Sequence, residues 1–171
     1  AGSDSGALVA LQRAAAAHLV ERGDGLLEPV SAVRDEVGSR VPLAARRDVA
    51  FIICGEISSI FKKNGRTRKV HSLVFMPSLE SATTFSTALG RLGNITSDGR
   101  PILGLEPLAI LRLAKDICPD SFMIPAHIWT PHFSVFGAMS GFDSLQECFE
   151  DLCDEIFAVE TGLSSDIVMN R

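Results

Sequence analysis

The spacing of apolar positions changes along this chain, and each change predicts an element. Leu8, Leu11, Ala15 and Leu19 share one helical face, which predicts an amphipathic helix over residues 7–21, ended by Gly23-Asp24-Gly25. A second short helix is expected over 31–40, opened by Ser31 as N-cap and closed near Gly38. Residues 42–47 read as a connection. Residues 49–58 and 69–76 then read as strands. Between them stands Asn64-Gly65, a strong signal for a type I′ turn, which needs positive φ at both central residues.

A two-residue turn at Asn64-Gly65 fixes the pairing of the flanking strands. Lys63 falls opposite Arg66, Ser58 opposite His71 and Glu56 opposite Leu73. Because side chains alternate faces along a strand, Glu56 and His71 become diagonal neighbours on one face, roughly 7–8 Å apart at Cα.

Further along, residues 79–92 predict a helix between Ser78 and Gly93, and 95–105 a loop containing Ser97-Asp98-Gly99-Arg100-Pro101. Residues 107–118 predict a helix with Pro107 at its first position. Residues 122–126 read as a short strand ending at His127, 129–141 as an aromatic loop, and 144–155 as an acidic helix capped by Asp143 or Ser144. Residues 156–159 read as a last strand ending at Glu160, followed by a polar loop. Strands alternating with helices after the hairpin indicate an α/β fold, part of a barrel or of an open sheet.

Composition narrows the class. The 171 residues are 46% hydrophobic and 22% charged, which excludes a wholly disordered chain. No apolar run approaches the roughly 20 residues of a membrane span, and the Ala-rich opening lacks the basic start of a secretory signal. The four cysteines have no Cys-x-x-Cys spacing and mostly occupy apolar runs, so they are expected to be buried, reduced thiols of a cytoplasmic protein.

The net charge is −5, unevenly distributed. Ten acids and no Lys or Arg lie between Asp116 and Asn170, which speaks against nonspecific wrapping of nucleic acid. Five cations crowd the eight residues 62–69: Lys62, Lys63, Arg66, Arg68 and Lys69. They suit phosphate contacts or, equally, a solvated hairpin tip.

Glu56, His127 and Glu160 each follow an expected apolar strand. Functional groups gather at strand carboxyl ends in barrels and open sheets. With His71 they form a candidate set of nitrogen and oxygen ligands suited to Zn, Mn or Fe, against the plainer reading of solvated or hydrogen-bonded loop residues. Trp129, His132 and Phe133 crowd the loop after His127, as a stacking surface for a base or as the rim of the core. Arg100 suits an oxyanion, or a local salt bridge in an Asp-Gly turn. Gly-x-Ser-x-Gly and phosphate-binding glycine loops are absent from the sequence.

Several strings resemble the PHP-superfamily phosphoesterases, and more narrowly the endonuclease Q group. They are Gly55-Glu56-Ile57-Ser58-Ser59-Ile60-Phe61-Lys62-Lys63, Arg66-Thr67-Arg68-Lys69-Val70-His71, Gly93-Asn94-Ile95 and Ser97-Asp98-Gly99-Arg100-Pro101-Ile102-Leu103-Gly104-Leu105. Ile124-Pro125-Ala126-His127-Ile128-Trp129-Thr130-Pro131, Ser140-Gly141-Phe142-Asp143-Ser144 and Val159-Glu160-Thr161-Gly162-Leu163-Ser164-Ser165-Asp166 continue the likeness. It spans residues 48–170, while 1–47 match loosely.

The resemblance implies a distorted (β/α) barrel of the TIM-like PHP type. It implies divalent metal ions (Zn, Mn or Mg) and cleavage of damaged DNA on the 5′ side of deaminated bases or abasic sites. Glu56 would be a bridging metal carboxylate and a catalytic residue with His127. His71 and His127 would be metal ligands, and Glu160 a ligand or substrate contact. Arg100, Trp129, His132 and Phe133 would line the substrate pocket, and Lys62, Lys63, Arg66 and Arg68 would hold the DNA backbone. The family's N-terminal His-x-His and C-terminal Asp-x-His are not in this sequence. The chain is therefore expected to be one incomplete domain, the central part of a longer protein and inactive without its flanking segments. The rival expectations are a PHP phosphatase of a small phosphorylated metabolite and a non-catalytic DNA-binding module.

Overall fold

The computed structural model describes residues 17–43, 47–96, 100–162 and 166–169. Most of the expected first helix lies outside them. Its last residues, Leu19–Glu21, form not a helix but strand β1, paired antiparallel with β2 (Leu27–Pro29). Gly23 and Gly25, with φ of 84° and 82°, close this small hairpin rather than capping a helix. Helix α1 spans Ser31–Arg40, but Val30 occupies its cap position and no side chain caps it.

The main sheet has four strands in the order β5-β3-β4-β6. Strands β3 (Ile53–Lys63) and β4 (Arg66–Met76) form a hairpin of eleven residues on each side, and its register is the one expected, with Lys63 opposite Arg66 and Ser58 opposite His71. Asn64 (φ 52°) and Gly65 (φ 73°) supply the two left-handed residues. β5 (Ile102–Leu103), inside the stretch expected to be loop, joins β3 in parallel, and β6 (Phe122–Pro125) joins β4 antiparallel. The sheet is open and mixed, and no closed barrel is seen among the described residues.

One face of this sheet carries Ile57, Phe61, Val70, Val74, Met76 and Met123 into the core. Two amphipathic helices cover it. α2 (Leu79–Leu92) buries Ala82, Phe85 and Leu89, and α3 (Pro107–Ile117) buries Pro107, Ile110, Leu111 and Ala114. Full burial of each such Leu or Ile contributes roughly 2 kcal/mol. Ser78 caps α2 through a reciprocal exchange with Ser81, and Pro107 sits in the first turn of α3, where its missing N–H leaves no bond unmade.

The expected acidic helix over 144–155 is divided. Ser144 caps α4 (Leu145–Phe149), Glu150 turns left-handed at φ 48°, and a 3-10 segment continues over Glu150–Glu155. Residues 156–159 pair in no ladder, so the expected last strand does not form. A short helix, α5 (Asp166–Met169), follows. No described helix is long and apolar enough to cross a membrane.

Of the cysteines, only Cys148 is buried. Cys118 and Cys153 are half-buried and Cys54 is exposed, correcting the expectation that most are core thiols. Burial pushes the Cys148 thiol well up. Partial desolvation, Glu56 and Glu160 push Cys54 up to about 11, so neither is a thiolate at neutral pH.

Candidate metal centre

The second face of the sheet carries Glu56 and Ser58 on β3, and His71, Leu73 and Phe75 on β4. His71 gives its N–H to the Phe133 carbonyl (2.9 Å) and accepts from the Ala126 N–H (3.0 Å). Both bonds point away from β3, so Ser58 and His71 are a non-hydrogen-bonded pair, the type in which opposed Cα atoms approach to about 4.5 Å. The hairpin therefore presses its side chains together here. Glu56 Oε1 lies 3.2 Å from His71 Nδ1. Glu56 lies inside β3, not at the end of a strand as expected, so alternation along the hairpin places it.

His127 enters from the other side. β6 ends at Pro125, and the chain turns left-handed at His127, with φ of 33°. That conformation is uncommon for a residue with a Cβ and persists only where neighbours fix it. Here Glu160 fixes it. Its Oε2 accepts the His127 N–H (2.6 Å). Its carbonyl accepts from Ile128 (3.0 Å), and its N–H donates to the Pro125 carbonyl (3.0 Å). Glu160 thus holds the backbone of His127 and stands outside the group of converging donor atoms.

The result is a cluster. Glu56, His71 and His127 each present one donor atom, all within 4.8 Å of one another, in a geometry that could hold a metal ion. His71 Nδ1 and His127 Nε2 are 2.9 Å apart. His127 Nε2 is 3.9 Å from Glu56 Oε1. The Thr130 hydroxyl lies 2.7 Å from His127 Nδ1. That hydroxyl spends its single proton on the carbonyl of His132 (2.8 Å) or of His127 (3.1 Å), so it accepts from the ring. Nδ1 of His127 then bears the proton, and its Nε2 lone pair faces the cluster.

Electrostatics favour the same role for His71. Burial, then the nearby Arg100 guanidinium, push its pKa down to about 4. Glu56 opposes the shift and His127 adds to it. A neutral imidazole at physiological pH can carry its one proton on either ring nitrogen, so a cation that takes the place of the proton between the two rings can draw on a lone pair of His71. The Phe133 ring stacks on His71 at 4.5 Å between centroids and shields it. Two imidazole nitrogens and one carboxylate oxygen, with a hydroxyl bracing one ring from behind, make a donor set that could hold a divalent metal ion.

The remaining expected residues divide between this centre and the scaffold. Arg100 is at the centre, its Nη1 2.9 Å from Glu56 Oε1. The Ser97-Asp98-Gly99 part of its expected turn lies outside the described residues. Trp129 packs on Phe136 (5.2 Å) at the edge of the core, as in the plainer of its two readings. His132 is exposed and offers its carbonyl to Thr130.

The basic hairpin tip is not uniformly free. Lys63 is clamped between Glu106 (2.8 Å) and Glu150 (2.6 Å). Arg68 is buried, bonded to the Gly141 carbonyl and to Glu147 (3.1 Å), with its guanidinium 4.4 Å from the Phe142 ring centre. Lys62 and Arg66 are exposed. Sequence reasoning missed Thr130, whose only local signal is its place three residues after His127.

No family model matches this chain. An uncharacterised protein of Bacillus subtilis (strain 168), YqxK, is 40% identical over 101 residues, which are 58% of this chain and 24% of YqxK. Among solved structures, the lesion-specific endonuclease PfuEndoQ of Pyrococcus furiosus matches 91% of this chain at 26% identity, with a TM-score of 0.63 over 31% of its own length. An endonuclease Q bound to a 27-mer duplex substrate, with an abasic lesion at the active site, matches 92% at 26% identity and a TM-score of 0.66, over 32% of its length. The chain thus spans about a quarter of the curated relative and about a third of the solved endonucleases.

Proposed function

We propose that this chain forms the central part of a metal-dependent DNA repair endonuclease of the endonuclease Q type, cleaving a strand on the 5′ side of a deaminated base or an abasic site. One observation carries the reading. Glu56, His71 and His127 converge within 4.8 Å in a chain that overlays on a lesion-specific endonuclease over nine-tenths of its length.

In this reading Glu56, His71 and His127 hold a divalent cation, with Glu160 and Thr130 fixing His127. Such an ion supplies Lewis-acid polarisation of a phosphoryl oxygen and a water of lowered pKa. Phe133 keeps water off His71, and its neighbours Trp129 and His132 would stand beside the bound nucleotide. Lys62 and Arg66 meet the DNA backbone, while Lys63 and Arg68 hold the hairpin in place. The chain is then one incomplete PHP-like domain that works with segments of a longer protein.

A second reading has support from the hairpin. With Lys63 and Arg68 bound to internal carboxylates, a smaller free basic surface also suits a phosphatase of a small phosphorylated metabolite. The complete protein, incubated with a duplex bearing one deoxyuridine or abasic site and Mn, Mg or Zn, separates the readings. A single cut 5′ to the lesion, lost with EDTA and in His127→Ala, is the expected result. Lesion binding without a cut, unchanged by EDTA or Glu56→Gln, points to a non-catalytic module. Phosphate release from a sugar phosphate with no DNA cut moves the protein to the second reading.

A further inference from the structure

Glu56 Oε1 is the atom on which the centre turns. It lies 3.2 Å from His71 Nδ1 and 3.9 Å from His127 Nε2, and Arg100 Nη1 donates to this same oxygen at 2.9 Å. A cation shared by the three donor atoms would take its oxygen bond from that lone-pair region and would stand a few ångströms from the guanidinium. Arg100 cannot relieve this repulsion by losing a proton, because guanidinium stays charged in proteins. It can relieve it by moving. Its side chain is 45% exposed, and among the described residues its one ion-pair partner is Glu56. Glu56 itself is half-buried and its charge needs a counter-ion, which Arg100 provides.

We infer that Arg100 is a built-in competitor for the metal carboxylate: it neutralises Glu56 until a divalent cation arrives, and cation binding displaces it from Oε1. The inference rests on the metal-centre reading above. Two positive groups contend for one oxygen, so removing one strengthens the hold on the other. Between partly solvated charges a few ångströms apart, the effect on affinity is on the order of tenfold. Displacement also leaves the guanidinium beside the centre with its donors open, in the place where a phosphodiester oxygen would be met.

The test is a calorimetric titration of Mn²⁺ into the complete protein, with circular dichroism to establish that each variant is folded. Arg100→Gln removes the charge and keeps a hydrogen-bond donor, while Arg100→Lys keeps the charge. The expected result is Mn²⁺ binding tightened by about tenfold in Arg100→Gln and little changed in Arg100→Lys. Binding seen only in Arg100→Gln supports the inference equally. If the native protein binds Mn²⁺ and Arg100→Gln binds it no more tightly, Arg100 is no competitor and the inference falls, while the metal centre stands. If neither binds Mn²⁺, the metal reading and the competition built on it fall together.

Discussion

His71 Nδ1 and His127 Nε2 lie 2.9 Å apart, although the two residues are 56 positions apart in sequence. With the Nε2 lone pair of His127 turned inward by Thr130, the hydrogen bond between the rings runs from His71 to His127. One proton sits where a cation would be shared. The arrangement therefore depends on Thr130 to set the tautomer.

Thr130→Val is expected to lower Mn²⁺ or Zn²⁺ affinity by about tenfold, the range found when the outer partner of a metal-binding histidine is removed. Thr130→Ser should retain it. Calorimetry with either ion reads the difference, and equal affinity for the valine and native proteins would show that the hydroxyl does not orient the ring.

Acidification tests the environment of His71. Its folded pKa is about 4, below the unfolded value of about 6.5. Between these values the unfolded chain takes up a proton that the folded chain refuses, so stability falls as pH drops from about 6.5 to about 4 and levels off below. One proton gives a slope of at most about 1.4 kcal/mol per pH unit. Urea unfolding of the native protein and of His71→Gln, compared across that window in EDTA, should show the slope reduced in the variant.

The hairpin cations should divide into two classes. Lys62→Gln with Arg66→Gln should weaken duplex binding and reduce the salt slope by up to about two, at about 0.9 per phosphate contact, with no change in thermal midpoint. Arg68→Ala should cost about 2 kcal/mol or more of stability, since it strands Glu147 and empties the space beside Phe142. A salt slope that stays the same in the double variant would remove these two side chains from the DNA interface.

The loop that supplies Phe133 depends on close backbone packing at its end. A Cβ at Gly141 would collide with the backbone of Gly137 and the Val135 carbonyl. Gly141→Ala should therefore destabilise the protein by at least about 1 kcal/mol and expose His71 as Phe133 shifts. The His71 pKa, followed by NMR, should rise toward 6.5 in the variant. An unmoved value would mean that the loop end and the ring are independent.

The hairpin was legible because two independent signals agree on it. Residues 49–58 and 69–76 read as strands, whose side chains alternate faces, and Asn64-Gly65 sets the register, so Glu56 and His71 could be brought together from sequence. The place of His127 after an apolar stretch makes it a candidate, but nothing in the sequence shows the contacts that aim it. Glu160 and Thr130 act through backbone and hydroxyl bonds inside irregular loops, which leave no periodicity. Lys63 and Arg68 looked like free cations because their carboxylate partners, Glu106, Glu150 and Glu147, come from distant segments. Residues 19–21 look helical by spacing, yet they become a strand because Leu27–Pro29 folds back on them. There tertiary pairing overrides a weak local preference.

The two-residue turn between β3 and β4 also sets an order of assembly. Pairing across it closes very short loops first, so the hairpin is the least costly contact for the unfolded chain to make and forms on the microsecond scale. Glu56 and His71 are brought together in that step. His127 must wait for β6 to dock on β4 and for Glu160 to clasp the turn, a closure over a far longer stretch of chain. Two ligands of the candidate centre are thus joined early and the third late. A cation that needs all three can favour only the finished fold, which makes metal binding a selector for correctly folded molecules rather than a seed of folding.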